Sequence, residues 1–151
     1  MEDIRAVRMD ADERDEFLGP GGTGVISFSA GAESAPESLP VSYGYDAEEA
    51  MFYFRLSAGD DDAKTPLVNR DRPVSFVTHR KTDDGWKSVV VKGNLYEVTE
   101  GSMGTEILER MRHVQIPLVD VFDRDPREVA FRFFRLEPFQ FGARKEARSE
   151  D

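Results

Sequence analysis

The chain has 151 residues with thirty acidic and twenty basic side chains, a formal net charge of −10 and a pI of about 4.7. That length suits one domain spanning 1–151, and 39% hydrophobic residues with eleven Phe can fill a core. The charge argues against a nucleic-acid binder and against docking on anionic lipid, both of which need a basic face; the lack of cysteine excludes disulfides, thiolate metal sites and thiol catalysis.

The N-terminus, MEDIRAVRMDADERDEF, is charged and has no apolar signal core, and no apolar run approaches the ~20 residues of a membrane span. The expectation is a soluble, cytoplasmic protein. Asp10 to Leu18 reads as a short helix, capped by Asp10 with Glu13 completing a box-like arrangement and Gly19-Pro20-Gly21-Gly22 stopping it. A first strand follows at 23–29, with Ile26 and Phe28 on one face. The small polar loop 30–38 leads to a second strand at 39–45, in which Val41, Tyr43 and Tyr45 alternate with Ser42 and Gly44.

The third strand, 51–57, puts Phe52, Phe54 and Leu56 on one face and Tyr53, Arg55 and Ser57 on the other. A short helix is predicted near 63–70, with Pro66 tolerated in its first turn. A fourth strand covers 74–80. Thr82-Asp83-Asp84-Gly85 is a hairpin turn, and a long fifth strand, 86–98, is interrupted by Gly93, which suggests a bulge. A second helix is predicted at about 103–113, a charged loop at 120–127, and a last strand from about 129 to 136, continuing as far as 141. The ordered core is then 10–141, with 142–151 expected as a frayed tail. Six strands with antiparallel connections and two or three short helices predict a mainly β fold, a small antiparallel barrel.

The catalytic motifs are few. His79 and His113 are far apart in sequence and make no metal pair. No G-x-S-x-G elbow or P-loop occurs, and Gly19 to Gly24 lies between a helix and a strand, the wrong order for a dinucleotide fingerprint. Asp60-Asp61-Asp62 lacks the spaced ligands of a calcium loop. Phe52, Phe54, Phe76, Phe131, Phe133 and Phe134 read as core, while Tyr43, Tyr45, Tyr53 and Trp86 suit either core or a subunit interface. Arg55, Ser57 and Lys64, with Ser42 and Ser88 as companions, are the types that bind phosphate and ring edges. The same residues read equally as surface polar groups. Fifteen Arg against five Lys in an acidic chain fits solubility at high salt, and equally an ordinary acidic protein from a GC-rich genome.

Five segments, in this order, carry a resemblance: Gly24-Val25-Ile26-Ser27-Phe28, Pro40-Val41-Ser42-Tyr43, Met51-Phe52-Tyr53-Phe54-Arg55, the run from Lys64 to Pro73, and Trp86-Lys87-Ser88-Val89-Val90-Val91-Lys92-Gly93. Together they resemble the pyridoxamine 5′-phosphate oxidase-like, FMN-binding split β-barrel proteins, of the nitroimidazole-resistance or general-stress type. The resemblance implies a six-stranded split-barrel homodimer with FMN in the interface groove. It implies that Val41, Ser42 and Tyr43 lie along the flavin, that Arg55, Leu56 and Ser57 border ring and phosphate, and that Lys64 meets the phosphate. Ser88 and Val89 would lie near the isoalloxazine, and Tyr43 and Arg55 would contact N1, O2 or substrate. A flavin-dependent oxidoreductase on an unknown small molecule is the implied activity. A non-catalytic flavin-binding or redox-sensing protein, or the same fold holding haem or a deazaflavin, is the alternative. Ser88-Val89-Val90 stands in place of the oxidase's Gln-Val-Arg segment, and Glu137-Pro138-Phe139-Gln140-Phe141 in place of its C-terminal Trp and Arg, so pyridoxamine phosphate oxidation is not implied. Arg55 stands where the nitroimidazole-resistance type often has histidine, which separates the chain from that activity too.

Overall fold

A computed structural model of the chain describes residues 3–57, 73–98 and 131–149, with side chains at 6–56, 73–98 and 133–147. Helix α1 (Ala11–Leu18) starts at Asp10, whose carboxylate accepts the Glu13 backbone N–H at 2.8 Å. That bond satisfies one orphan donor of the first turn. The Glu13 carboxylate does not fold back to complete a box. It accepts from the Lys145 ammonium at 2.5 Å and so ties the helix to the last strand. Gly19 ends the helix at φ 60°, where a side chain would be strained.

The strands are β1 (Asp3–Arg8), β2 (Gly21–Phe28), β3 (Glu37–Asp46), β4 (Met51–Ser57), β5 (Pro73–Thr82), β6 (Gly85–Val98) and β7 (Phe131–Ser149). All pairings are antiparallel, in the order β1-β7-β4-β3-β2-β5-β6, and β6 pairs back onto β7. Strands β2 to β7 therefore close a six-stranded antiparallel barrel, as the patterning predicts. Closure removes the open edges that a flat sheet would present. Among the described residues α1 is the one helix; the predicted helices at 63–70 and 103–113 and the loops at 60–62 and 120–127 lie outside the described residues.

Two differences concern the ends of the chain. Residues 3–8, read as a charged lead-in, form β1. Residues 142–149, expected to fray, continue β7. The cause is pairing: β7 meets β4 over 131–136, β6 over 133–145 and β1 over 144–149, so each end is held by the other.

The hairpin between β5 and β6 turns through Asp83 and Asp84, with Thr82 opposite Gly85. The Thr82 hydroxyl donates to the Gly85 carbonyl at 2.7 Å and accepts the Asp84 N–H at 3.2 Å. Gly93 does mark an irregularity, but the extra residue is in the facing strand. Lys92 pairs with Gln140 and Gly93 with Pro138, which leaves Phe139 as the bulged residue of β7, 58% exposed.

The core lies inside the barrel. Phe52, Phe54, Phe76 and Phe134 are buried there as predicted; Phe133 is only half-buried, and the Phe131 side chain lies outside the described ones. Tyr43, Tyr45 and Tyr53 are also buried, so they are not exposed interface residues of this chain; among these four rings only Trp86 is exposed. The Tyr43 hydroxyl donates to the Leu18 carbonyl at 2.9 Å and that of Tyr45 to the Asp15 carboxylate at 2.6 Å. Both bonds dock α1 over one end of the barrel. No helix of the described residues is long and apolar enough to cross a membrane.

Candidate functional site

Strand β3 pairs with β2 over 37–44 but with β4 only over 43–46, against 51–54. Strand β4 meanwhile pairs with β7 from Phe52 to Ser57. The β3–β4 ladder thus ends at Tyr43 and Phe54, and the next residues, Ser42 and Arg55, stand where the two strands part. Side chains alternate across a strand. Val41, Tyr43 and Leu56 accordingly turn into the barrel, while Ser42 and Arg55 belong to its outer face. Ser42 is 8% exposed, and its Oγ is buried without a hydrogen-bond partner. A buried hydroxyl left unsatisfied costs on the order of 1–3 kcal/mol, so a partner from solvent or a ligand would be favourable there. Arg55 beside it is half-buried.

Ser88 lies elsewhere. It faces His79 on β5 and Arg144 on β7 and lines an outer groove of about 440 Å³ with His79, Trp86, Lys87, Arg144 and Glu146. The indole of Trp86 is half exposed, and the His79 ring tilts over it at 5.8 Å between centroids. From Ser42 to Ser88 the barrel surface crosses three strand spacings (β3 to β2 to β5 to β6), roughly 14 Å. Within one chain the predicted residues therefore form two walls. Ser42 and Arg55 make one, and Ser88 is on the other.

The side chains of Tyr43 and Val89 belong to the barrel interior. Both are 0% exposed, Tyr43 locked between Phe52 and Phe76 with its hydroxyl on Leu18, and neither side chain can touch a ligand outside the barrel. Val41 and Leu56 are buried core residues and support the first wall from within. Ser57 continues β4 by its backbone, paired with Phe131, and its side chain lies outside the described ones. Lys64 lies outside the described residues. Of the groove residues only Ser88 was assigned to a site from sequence; Trp86 and Arg144 are among those that were not. The alternation of Phe139, Phe141 and Ala143 with Gln140, Gly142 and Arg144 carried the signal that β7 continues and presents Arg144 outward.

Burial raises the pKa of Tyr43, although the Arg80 guanidinium beside it pulls the other way. Burial and the carboxylate of Asp15 push Tyr45 well above the usual phenol range, and burial, with Asp46 adding to it, raises Tyr53. These phenols stay protonated at neutral pH, and Tyr43 and Tyr45 serve as donors. An acid whose folded pKa exceeds its unfolded value stabilises the fold fully below the unfolded pKa, near 10, and loses that contribution as pH climbs toward the folded value. The protein should therefore lose stability steeply above about pH 10. Tyrosinate absorbance from Tyr43, Tyr45 and Tyr53 should appear together with loss of near-UV dichroism; tyrosinate formation in a still-folded protein would contradict these assignments. Among the described residues no cluster of His, Asp and Glu could hold a metal ion.

A model of the pyridoxamine 5′-phosphate oxidase family matches residues 10–145, nearly the whole chain. The chain belongs to that family. No curated protein sequence matches it. Among solved structures it resembles an FAD-binding protein from Mesorhizobium loti at 19% identity, with 97% of this chain and 99% of that one covered and a TM-score of 0.65. It resembles an FAD binding protein from Mycobacterium smegmatis at 18% identity, with 95% and 100% covered and a TM-score of 0.65. A third likeness, to an FAD and heme binding protein from Mycobacterium smegmatis, is at 9% identity with 93% and 72% covered and a TM-score of 0.59. At these identities the likeness is one of fold. The pyridoxamine 5′-phosphate oxidase-like barrel expected from the sequence is thus the fold and the family of this protein.

Proposed function

We propose that the protein binds a flavin, FMN, between two copies of the chain and acts as a flavin-dependent oxidoreductase on a small molecule. The observation that carries the reading is the buried, unpartnered Ser42 Oγ beside Arg55 at the parting of β3 and β4. A hydroxyl can donate to a heteroaromatic nitrogen or accept from a ring N–H, and a guanidinium can fork onto a carbonyl or phosphate oxygen. Those are the edge groups a flavin offers. The family supports the same reading, as do the two neighbours named for FAD. Lys64 is the proposed phosphate contact. The flavin would supply one- and two-electron transfer; the chain's own residues hold and orient it.

A second copy would supply Ser88. The roughly 14 Å between Ser42 and Ser88 within one chain is too far for one ring edge to meet both. The outer face also carries Val25, Val77 and Val90 in one row across β2, β5 and β6, with Val25 40% and Val90 37% exposed. An exposed apolar row of this kind suits burial against a partner.

The test is the visible spectrum and sedimentation of the purified protein. A flavin spectrum on a dimer, with FMN as the released chromophore, is expected. Released FAD would correct the cofactor, a Soret band would replace it with haem, and a colourless protein that takes up no added FMN would sink the reading. Turnover with a reduced nicotinamide, compared with free FMN, separates an enzyme from a redox sensor. Ser42→Ala should leave the flavin-free protein as stable or more so, since it removes an unsatisfied hydroxyl, yet weaken flavin binding. Lys64→Ala should weaken it by about 1.5–3 kcal/mol.

A further inference from the structure

Arg8 on β1 lies directly opposite Arg144 on β7. Like charges in that relation repel and destabilise a strand pair. Arg14 of α1 comes to the same place, its guanidinium over the Phe141 ring at 4.2 Å and its Nε donating to the Asp15 carboxylate at 3.1 Å. The three arginines line one pocket of about 260 Å³ together with Gln140, Phe141 and Gly142. Among the described residues lining it there is no carboxylate. Three acids at the neighbouring helix, Asp10, Glu13 and Asp15, already have partners. Asp10 holds the Glu13 N–H, Glu13 holds Lys145, and Asp15 is shared by Arg14 and Tyr45.

Three guanidinium groups therefore converge on one cavity of a protein whose net charge is −10. The overall field repels anions, so the local cluster serves neither solubility nor long-range steering. The exposed Arg8–Arg144 pair also costs a little stability at low ionic strength. An oxyanion between them reverses both terms, because guanidinium forks match tetrahedral oxyanions and form charge-assisted hydrogen bonds. We propose that Arg8, Arg14 and Arg144 bind a phosphate dianion, free or as the monophosphate ester of a small molecule. The site is distinct from the wall at Ser42 and Arg55 and does not depend on the flavin reading. Arg144 also lines the groove at Ser88, so the two cavities adjoin along β7.

The experiment titrates inorganic phosphate, and in a second arm glycerol phosphate, into the full chain at constant ionic strength, following arginine Nε–Hε resonances. Saturable shifts of Arg8, Arg14 and Arg144 are expected. Arg8→Gln and Arg144→Gln should each weaken the dissociation constant about tenfold or more, the least that losing a charge-assisted bond implies. Tighter binding of glycerol phosphate identifies an ester as the ligand; equal or weaker binding identifies free phosphate. In phosphate-free buffer of low ionic strength, Arg144→Gln should raise the melting temperature, since it removes the like-charge pair. Shifts that rise linearly and match those caused by chloride would overturn the proposal, as would unchanged affinity in both variants.

Discussion

Gly93→Ala should cost about 4 kcal/mol or more, a large part of the roughly 5–15 kcal/mol that holds a typical domain folded. A Cβ built at Gly93 would lie 2.3 Å from the Glu137 carbonyl oxygen and 2.9 Å from both the Glu137 carbonyl carbon and the Pro138 Cα. All three are backbone atoms of the facing strand, so no side chain can swing aside. Relief requires β7 to move off β6 at the bulge, where Phe139 is already the unpaired residue. That strand is the closing stave of the barrel and pairs with three others, so the displacement spreads to β4 and β1. Urea unfolding of the variant measures the loss. Gly142→Ala is the internal control. Its nearest atoms would be 3.8 Å away, an ordinary contact, and it should change stability by less than about 0.5 kcal/mol. Equal, small effects at the two positions would contradict the close approach at Gly93.

The same strand shows what was and was not legible in the sequence. Strand β4 could be bounded from its residues alone, because Met51 to Ser57 alternates large apolar with polar groups and the polar turn Asp46-Ala47-Glu48-Glu49 precedes it. Asp10 announced α1 in the same local way. The ends were illegible for a physical reason. Asp3–Arg8 and residues 145–149 carry charged residues and good helix formers, and nothing local commits them to strand. They become strands because each supplies the other's hydrogen-bond partners, and tertiary pairing overrides propensity. At the candidate site the alternation set Ser42 and Arg55 each against the apolar face of its own strand. It put Tyr43 on the opposite face but could not show that α1 seals it there, since that depends on Leu18 reaching its hydroxyl from 25 residues away. Nor could any local pattern show that Arg8 and Arg144 meet.

Phe52→Ala should destabilise the protein by about 3–5 kcal/mol. The ring is 0% exposed and sits among five others: Tyr43 at 5.8 Å, Tyr45 at 4.7 Å, Phe54 at 6.5 Å, Phe76 at 5.5 Å and Phe141 at 6.1 Å between centroids. Those partners come from β3, β4, β5 and β7, so a cavity there cannot be filled by moving one strand. Edge-to-face and tilted pairs add to area burial, each worth roughly 0.5–1.5 kcal/mol, and the truncation removes several at once. Phe139→Ala, at a ring 58% exposed on the bulge, should lie within about 0.5 kcal/mol of the parent. The consequence for the site is specific. Phe52 packs on Tyr43, and Tyr43 alternates with Ser42 on the same strand, so the inner ring cluster fixes how β3 presents Ser42 outward. Phe52→Leu, which keeps much of the volume, should lose less stability than Phe52→Ala, and its flavin affinity should fall by less than that of Ser42→Ala. If Phe52→Leu weakened flavin binding as much as Ser42→Ala does, the site would depend on the aromatic core itself and not on the Ser42 hydroxyl.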